Sequence, residues 1–201
     1  MKITAEDRRM AERVFNRCFA IPKTDEDVFY EMCFCICAPQ TTFKANIKVI
    51  EKLKRCDYYG FTTTCVSEDI PFLRKVLKPV RFYNNKAKWV AEAKQKFPGI
   101  LKWVNPGIPI PDWSIREWLV KNVKGLGMKT ASHFLRNLGA TDLAIIDIHV
   151  LKFLGVSGKW KYLDLEEQFR EKAKEERLTI AELDIVVWQK YSNTPWENYV
   201  R

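Results

Sequence analysis

The chain has 201 residues, of which 47% are hydrophobic and seven are tryptophan. This composition excludes a disordered protein and is sufficient for a buried core. Lys and Arg number 34 against 25 Asp and Glu, and the formal net charge of +9 favours a polyanionic partner such as nucleic acid. The first thirty residues carry charges in every turn and contain neither a signal-peptide core nor a membrane span. We therefore expect a cytoplasmic protein with no membrane partner.

Helical periodicity runs through the chain and no segment alternates apolar and polar residues for long, which predicts an all-α protein of about ten helices. Four pairs with a hydroxyl residue three positions before an acid predict capped helix starts at Thr4, Thr24, Ser114 and Thr179. Further helix starts are expected near Thr41, Ser67, Asn84, Asp147 and Asp164.

The six cysteines all lie in the first third of the chain. Without a secretion signal they are expected to be reduced. Three of them form the run Cys33-Phe-Cys35-Ile-Cys37, but a helix would turn Cys35 away from the other two. The run is therefore interpreted as buried thiols, and neither a metal nor a cofactor is expected.

Proline and glycine clusters predict breaks between helices at Pro22, at residues 97–99 and, most strongly, at residues 105–111. The strongest break predicts a central helical lobe over 24–110 and a second lobe made of 1–23 with 111–201. A two-lobed helical body of this kind leaves a cleft between the lobes, where a binding site is expected.

Residues 114–139 predict two helices joined by a tight turn, with Gly139 as the stop signal. Gly125 and Gly127 let the backbone turn sharply and expose N–H groups at the positive end of the second helix, which suits a phosphate. Leu126 is expected to tuck into the helix pair. From these residues alone, an ordinary αα-hairpin with a glycine turn remains an alternative.

An amine and a carboxylate are expected beside this hairpin. Lys129 lies two residues after Gly127, and Asp147 follows 18 positions later at another predicted helix start. Attack by an amine requires its uncharged form, which partial burial of Lys129 is expected to favour. The alternatives are that Lys129 only contacts phosphate and that Asp147 is only an N-cap.

In these features the chain resembles the helix-hairpin-helix superfamily of DNA base-excision glycosylases. The segment Ala38-Pro-Gln40-Thr-Thr-Phe resembles the helix start that faces DNA in that family, and Phe82-Tyr-Asn84-Asn-Lys86-Ala resembles its Tyr-Asn-x-Lys-Ala element. One branch of that family, which includes endonuclease III, ends in a four-cysteine iron–sulfur loop. No cysteine follows residue 65 in this chain, so it does not resemble that branch. The hairpin and the segment ending in Trp188 resemble the small 8-oxoguanine glycosylase/lyase branch, found largely in archaea.

The resemblance implies a two-lobed glycosylase fold and a bifunctional glycosylase/AP lyase that excises 8-oxoguanine. Lys129 would attack the sugar C1′, with a Schiff base and β-elimination following, and Asp147 would be the catalytic acid. The implied partner is double-stranded DNA with oxidised bases, bound by a monomer in a prokaryotic, nucleoid-associated setting. The implied DNA contacts are Gly125, Leu126, Gly127, Thr130, Gln40 and Lys124, and the implied base-stacking residues are Phe82 and Trp188.

Two further points bear on the substrate. The basic residues expected along the DNA backbone are Lys44, Lys48, Lys86, Lys121 and Lys124. After Trp188 the chain departs from the archaeal branch, because residues 192–201 follow where that branch has a lysine that reaches the lesion. The alternatives are therefore an oxidised-pyrimidine glycosylase resembling endonuclease III without the cluster, and a non-catalytic helix-hairpin-helix DNA-binding protein.

Overall fold

The computed structural model describes residues 1–21, 23–61, 65–105 and 107–192. Across these ranges the chain is all-α, as predicted, and contains ten helices without a strand. The helices are α1 (Ala5–Cys18), α2 (Asp25–Cys37), α3 (Phe43–Arg55), α4 (Val66–Val76), α5 (Tyr83–Val104), α6 (Asp112–Asn122), α7 (Met128–Asn137), α8 (Ile148–Leu154), α9 (Tyr162–Glu175) and α10 (Ile180–Ser192). None of these helices is both long and apolar enough to span a bilayer. The predicted break at Pro22 and the segment after Ser192 lie outside the described residues.

Two compact units divide the chain: residues 23–134 form the central unit, and the residues up to 22 join those from 135 onward in the terminal unit. The first boundary lies beside the predicted break, whereas the second differs from the one expected at residue 110. The reason is that α6 packs on α5, where the rings of Trp103 and Trp118 stack with centroids 5.1 Å apart. Most of the helix-hairpin-helix motif therefore lies in the central unit, and only the last residues of α7, from 135 onward, belong to the terminal unit.

The centre of the central unit is α2, which packs against α3 and α5 and is buried on nearly every side. Burial raises the pKa of the Cys33 thiol, and it raises the pKa of the Cys37 thiol to about 12. These thiols stay protonated at neutral pH and pack as small apolar side chains. No cluster of three or more potential metal ligands occurs within the described ranges.

Helix α5 runs through the break predicted at residues 97–99, which was wrong. Both Pro98 and Gly99 lie inside this helix. Phe97 is 4% exposed and packs edge-on against Phe29 of α2, with ring centroids 5.1 Å apart. Burying such a ring contributes about 1.5–3 kcal/mol, which offsets most of the ~3 kcal/mol that an interior proline costs a helix.

The centre of the terminal unit is α10, which packs against α1, α8 and α9. Its start is the predicted capping box: the Glu182 N–H donates to Thr179 Oγ1 (3.1 Å) and the Thr179 N–H donates to Glu182 Oε2 (2.7 Å). A buried ion pair joins α7 to α10, with Arg136 Nη1 3.7 Å from Asp184 Oδ2. One helix enclosed by its neighbours thus organises each unit.

The other helix starts that were predicted from capping boxes have different outcomes. Thr4 and Thr24 both form complete capping boxes, as predicted. The start predicted at Ser114 was wrong, because α6 begins at Asp112 directly after Pro111, whose φ of −58° already suits a helix entry.

Candidate active site

The helix-hairpin-helix motif consists of α6, a turn over residues 123–127, and α7. Leu126 is 2% exposed and its N–H donates to the Val123 carbonyl (3.2 Å), so it packs inside the turn as predicted. Across the two helices, Arg116 Nη1 donates to Ser132 Oγ (3.1 Å), and both side chains are buried. Because a buried charge-assisted hydrogen bond is costly to break, this contact holds the two helices in one arrangement.

The Arg116 contact was missed from the sequence. Arg116 is 3% exposed and directly follows Ile115, on the face of α6 that also buries Leu119. An arginine on the apolar face of an amphipathic helix is the signal that predicts such a buried partner.

The two hairpin glycines have different roles. Gly125 has φ +90°, and a Cβ there would lie 2.9 Å from Trp89 Cε3 and 3.2 Å from Ile36 Cγ2, so both conformation and space require glycine. Gly127 lacks a positive φ, and a Cβ there would meet no atom within 4 Å. The Gly127 carbonyl accepts from the Ala131 N–H (2.8 Å), which makes Gly127 the N-cap of α7. Because glycine has no side chain, it cannot satisfy the N–H groups of the first turn.

Lys129 and Thr130 lie in that first turn of α7. Thr130 is half-buried, and Lys129 is exposed. The expected partial burial of Lys129 was therefore wrong, because the N-terminus of α7 is open to solvent. An exposed amine beside unsatisfied N–H groups is accessible to a phosphate and to the sugar attached to it.

Asp147 is the N-cap of α8. Its Oδ1 accepts from the N–H groups of His149 (2.8 Å) and Val150 (3.0 Å). The preceding segment is held by Tyr162, whose hydroxyl donates to the Ala144 carbonyl (2.6 Å). Both cap bonds use one carboxylate oxygen, and Oδ2 accepts no bond from the part of the chain that the structure describes. Asp147 is thus oriented by its own helix and retains an oxygen for another partner.

The turn before α3 carries Gln40, which is exposed and has φ +55°. Lys86, expected along the DNA backbone, is instead 2% exposed, which corrects that prediction. Its Nζ donates to the carbonyls of Cys37 (2.7 Å) and Pro39 (2.7 Å) and to Thr41 Oγ1 (3.1 Å). Burial lowers the pKa of Lys86 below its usual value. The amine therefore ends α2 and holds the turn that presents Gln40.

The two predicted base-stacking residues differ in exposure. Phe82 is 52% exposed at the N-cap of α5 with φ +59°, and the Arg81 guanidinium lies 4.9 Å from its ring centroid. Trp188 is half-buried in α10 and packs partly against the core of the terminal unit. Phe82 is consequently the more exposed of the two rings, and Trp188 contributes to packing.

The remaining lysines that were expected along the DNA are exposed, namely Lys44, Lys48, Lys121 and Lys124. Lys124 Nζ lies 3.1 Å from Glu92 Oε2, so the hairpin lysine is paired with α5. Lys124 lies in the turn and Lys129 follows it in the first turn of α7, so the hairpin carries two exposed lysines five residues apart.

Comparison with known proteins identifies the family. A sequence profile described as 8-oxoguanine DNA glycosylase matches residues 14–178. A protein named 8-oxoguanine DNA glycosylase/AP lyase from Saccharolobus islandicus (strain L.S.2.15 / Lassen #1) is 32% identical over 199 residues, covering 92% of each chain. A protein of the same name from Methanocaldococcus jannaschii is 34% identical over 178 residues, covering 83% of this chain and 81% of the relative.

Solved structures agree with this assignment. The 8-oxoguanine glycosylase/lyase of Methanocaldococcus jannaschii, in complex with a 15mer DNA containing 8-oxoguanine, matches with a TM-score of 0.78 at 28% identity, over 93% of this chain and 91% of that one. The 8-oxoguanine DNA glycosylase of Thermotoga maritima matches with a TM-score of 0.76 at 27% identity, over 94% and 92% of the two chains. The chain therefore belongs to the 8-oxoguanine DNA glycosylase family.

Proposed function

We propose that this protein excises 8-oxoguanine from double-stranded DNA and then nicks the strand, as a bifunctional DNA glycosylase/AP lyase. The observation that carries the proposal is the open start of α7, where the exposed Lys129 follows an N-cap glycine. A DNA phosphate bound to the free N–H groups would bring a sugar to the lysine amine. The family and the names of the relatives support the choice of base.

Chemistry at the sugar requires that the damaged nucleotide leaves the base stack, since C1′ is not accessible to a side chain inside a duplex. Uncharged Lys129 Nζ then attacks C1′ and forms a C–N bond. The bond between C1′ and the base breaks, and the base leaves with its electron pair and acquires a proton. Ionised Asp147 stabilises the positive charge that develops on the sugar, and it relays a proton.

Strand cleavage follows from the same covalent bond. Opening of the sugar ring converts the amine adduct into a protonated Schiff base, which acidifies the C2′ hydrogen. Loss of that proton and breakage of the C3′–O bond release the 3′ phosphate. Hydrolysis of the imine by water then regenerates the lysine, so no cofactor is consumed.

The geometry of Asp147 suits a double role as helix cap and catalytic carboxylate. Oδ1 is held by two backbone N–H groups, which fixes the direction of the carboxylate. We therefore assign Oδ2 to the stabilisation of the positive charge that develops on the sugar.

The remaining site residues hold the DNA and the extruded base. We assign Phe82 and Trp188 to stacking against the base, and Gln40 to contact with the DNA. The hairpin residues Gly125, Leu126, Gly127, Thr130 and Lys124 hold the backbone phosphate. The protein is proposed to act as a monomer at a prokaryotic nucleoid, and sedimentation equilibrium should return the chain mass of 23.7 kDa.

Borohydride trapping tests the proposal directly, because reduction turns the Schiff base into a stable covalent link between protein and DNA. Wild-type protein should be trapped on a duplex with 8-oxoguanine, Lys129→Gln should lose trapping, and Lys124→Gln should retain it. Lys124 is a matched control because it lies in the same hairpin and carries the same charge. Trapping of neither wild type nor control would leave a non-catalytic DNA-binding protein.

The choice of base is tested with the same preparation. Release of 8-oxoguanine should exceed release of thymine glycol from otherwise identical duplexes. The opposite ranking would identify an oxidised-pyrimidine glycosylase and would overturn the substrate, while leaving the lysine chemistry intact.

A further inference from the structure

A pocket of about 430 Å³ lies in the central unit between α3 and the end of α4. Val49, Val76 and Pro79 form its apolar part. The other lining residues are all basic, namely Lys48, Lys52, Lys75 and Lys78. The lining contains no carboxylate to balance these amines.

The positive charges of these lysines lie close together and repel one another. Lys48 and Lys52 are one turn apart on α3, and Lys44 is one turn before them, so three like charges share one helix face. Within the described ranges, no carboxylate pairs with any of the four pocket lysines. The nearby Glu51 pairs instead with Arg55 at 4.0 Å. An array of this kind gains stability from a bound polyanion.

The pocket lies between the two chain segments that lead to the predicted lesion contacts. Helix α3 begins three residues after Gln40, and Pro79 precedes Phe82 by three residues, a span of at most about 10 Å. Lys86 joins the start of α5 to the turn before α3 through Pro39. Gln40 and Phe82 therefore each lie only a few residues along the chain from elements that line the pocket.

We infer that this pocket binds backbone phosphates of the duplex that flanks the damaged nucleotide. The inference rests on the proposed function in one respect, that duplex DNA is the substrate. Amines on two separate segments suit phosphates of one strand, and the apolar part suits the deoxyribose carbons between them. Lysine contacts to phosphate carry no sequence information, so the pocket adds affinity and register without choosing the base.

The salt dependence of binding to undamaged duplex tests this pocket independently of catalysis. We compare wild type with Lys52→Gln/Lys75→Gln and with the equal-charge control Lys102→Gln/Lys159→Gln, whose lysines are exposed and lie outside the pocket. Fluorescence anisotropy between about 50 and 200 mM salt should show a log–log slope reduced by roughly one to two for the pocket variant. The control should keep the wild-type slope. Because the duplex carries no lesion, this result is separate from the trapping assay.

Two further measurements test the role of the pocket. The single-turnover excision rate at saturating pocket variant should equal that of wild type, since the pocket does not touch the reacting sugar. A second variant, Lys48→Gln/Lys78→Gln, should reproduce the slope change if the first one misfolds. A wild-type slope in both folded variants, or an equal loss in the control, would overturn the assignment.

A free polyanion carries the same phosphate groups as DNA, so its binding to the pocket is measured separately. If tripolyphosphate raises the Tm of wild type but not of the pocket variant, while the DNA slopes are identical, the pocket binds a small polyphosphate and not DNA. If the DNA slope falls in the pocket variant, the duplex assignment stands.

Discussion

Helices α7 and α8 begin in opposite ways. The start of α8 is closed by its own carboxylate, because Asp147 Oδ1 accepts from two N–H groups of the first turn. The start of α7 is left open, because its N-cap Gly127 has no side chain. The N–H groups of a helix start need acceptors, and at α8 the chain supplies them itself, whereas at α7 we propose that a phosphate does so. The proposed nucleophile follows the open start, and the proposed carboxylate forms the closed one.

Among the substitutions that test this comparison, Asp147→Asn has the largest expected effect. Asparagine keeps an N-cap acceptor but loses the charge, so we expect single-turnover excision of 8-oxoguanine to fall by about 10²–10⁴-fold with Tm nearly unchanged. Asp147→Ala should also lower the free energy of unfolding by about 1 kcal/mol, because it removes the cap as well. Excision by the asparagine variant at the wild-type rate would reduce Asp147 to an N-cap.

Gly125→Ala should disrupt the turn itself. The new Cβ would be strained at φ +90° and would lie 2.9 Å from Trp89 Cε3, so we expect a loss of about 1–3 kcal/mol in the free energy of unfolding. Urea unfolding followed by tryptophan fluorescence measures the loss. Wild-type stability would mean that the hairpin rearranges freely, contrary to the packing around this residue.

Gly127→Ala should leave the fold intact and affect DNA instead. Its Cβ meets no protein atom within 4 Å, so the free energy of unfolding should stay close to that of wild type. A methyl group at the open helix start would obstruct a phosphate, and we expect affinity for duplex DNA to fall roughly tenfold, or about 1.4 kcal/mol. Unchanged affinity would show that phosphate does not approach this glycine.

The smallest expected effect is a change in the pH dependence of the free energy of unfolding, and Lys86→Met is the variant that reveals it. Burial lowers the pKa of Lys86 in the folded protein below the ordinary value of 10.5, so between those two pKa values the unfolded chain binds more protons. The free energy of unfolding of wild type, measured relative to Lys86→Met, should therefore rise with pH through that window. Below the folded pKa the difference should be constant. A difference that falls with pH in the window would contradict the cause assigned here.

The local parts of the fold were predictable from the sequence. The boxes at Thr4, Thr24 and Thr179 were identified correctly, and the hairpin predicted over residues 124–127 is observed over 123–127. Each depends on hydrogen bonds or turn conformations that involve residues three or four positions apart. Such interactions are specified by neighbouring residue types, so a single sequence is sufficient to predict them.

Two of the incorrect predictions, the break at residues 97–99 and the position of Lys86, share one cause, which is contact between residues far apart in the chain. The break at residues 97–99 failed because Phe97 packs against Phe29 of another helix. Lys86 was expected along the DNA backbone but is buried, since the carbonyl at the end of α2 accepts a hydrogen bond from this lysine of α5. The lysine pocket likewise joins α3 to the end of α4. Local hydrogen bonding follows from adjacent residues, whereas burial and the grouping of charges depend on which distant helices pack together.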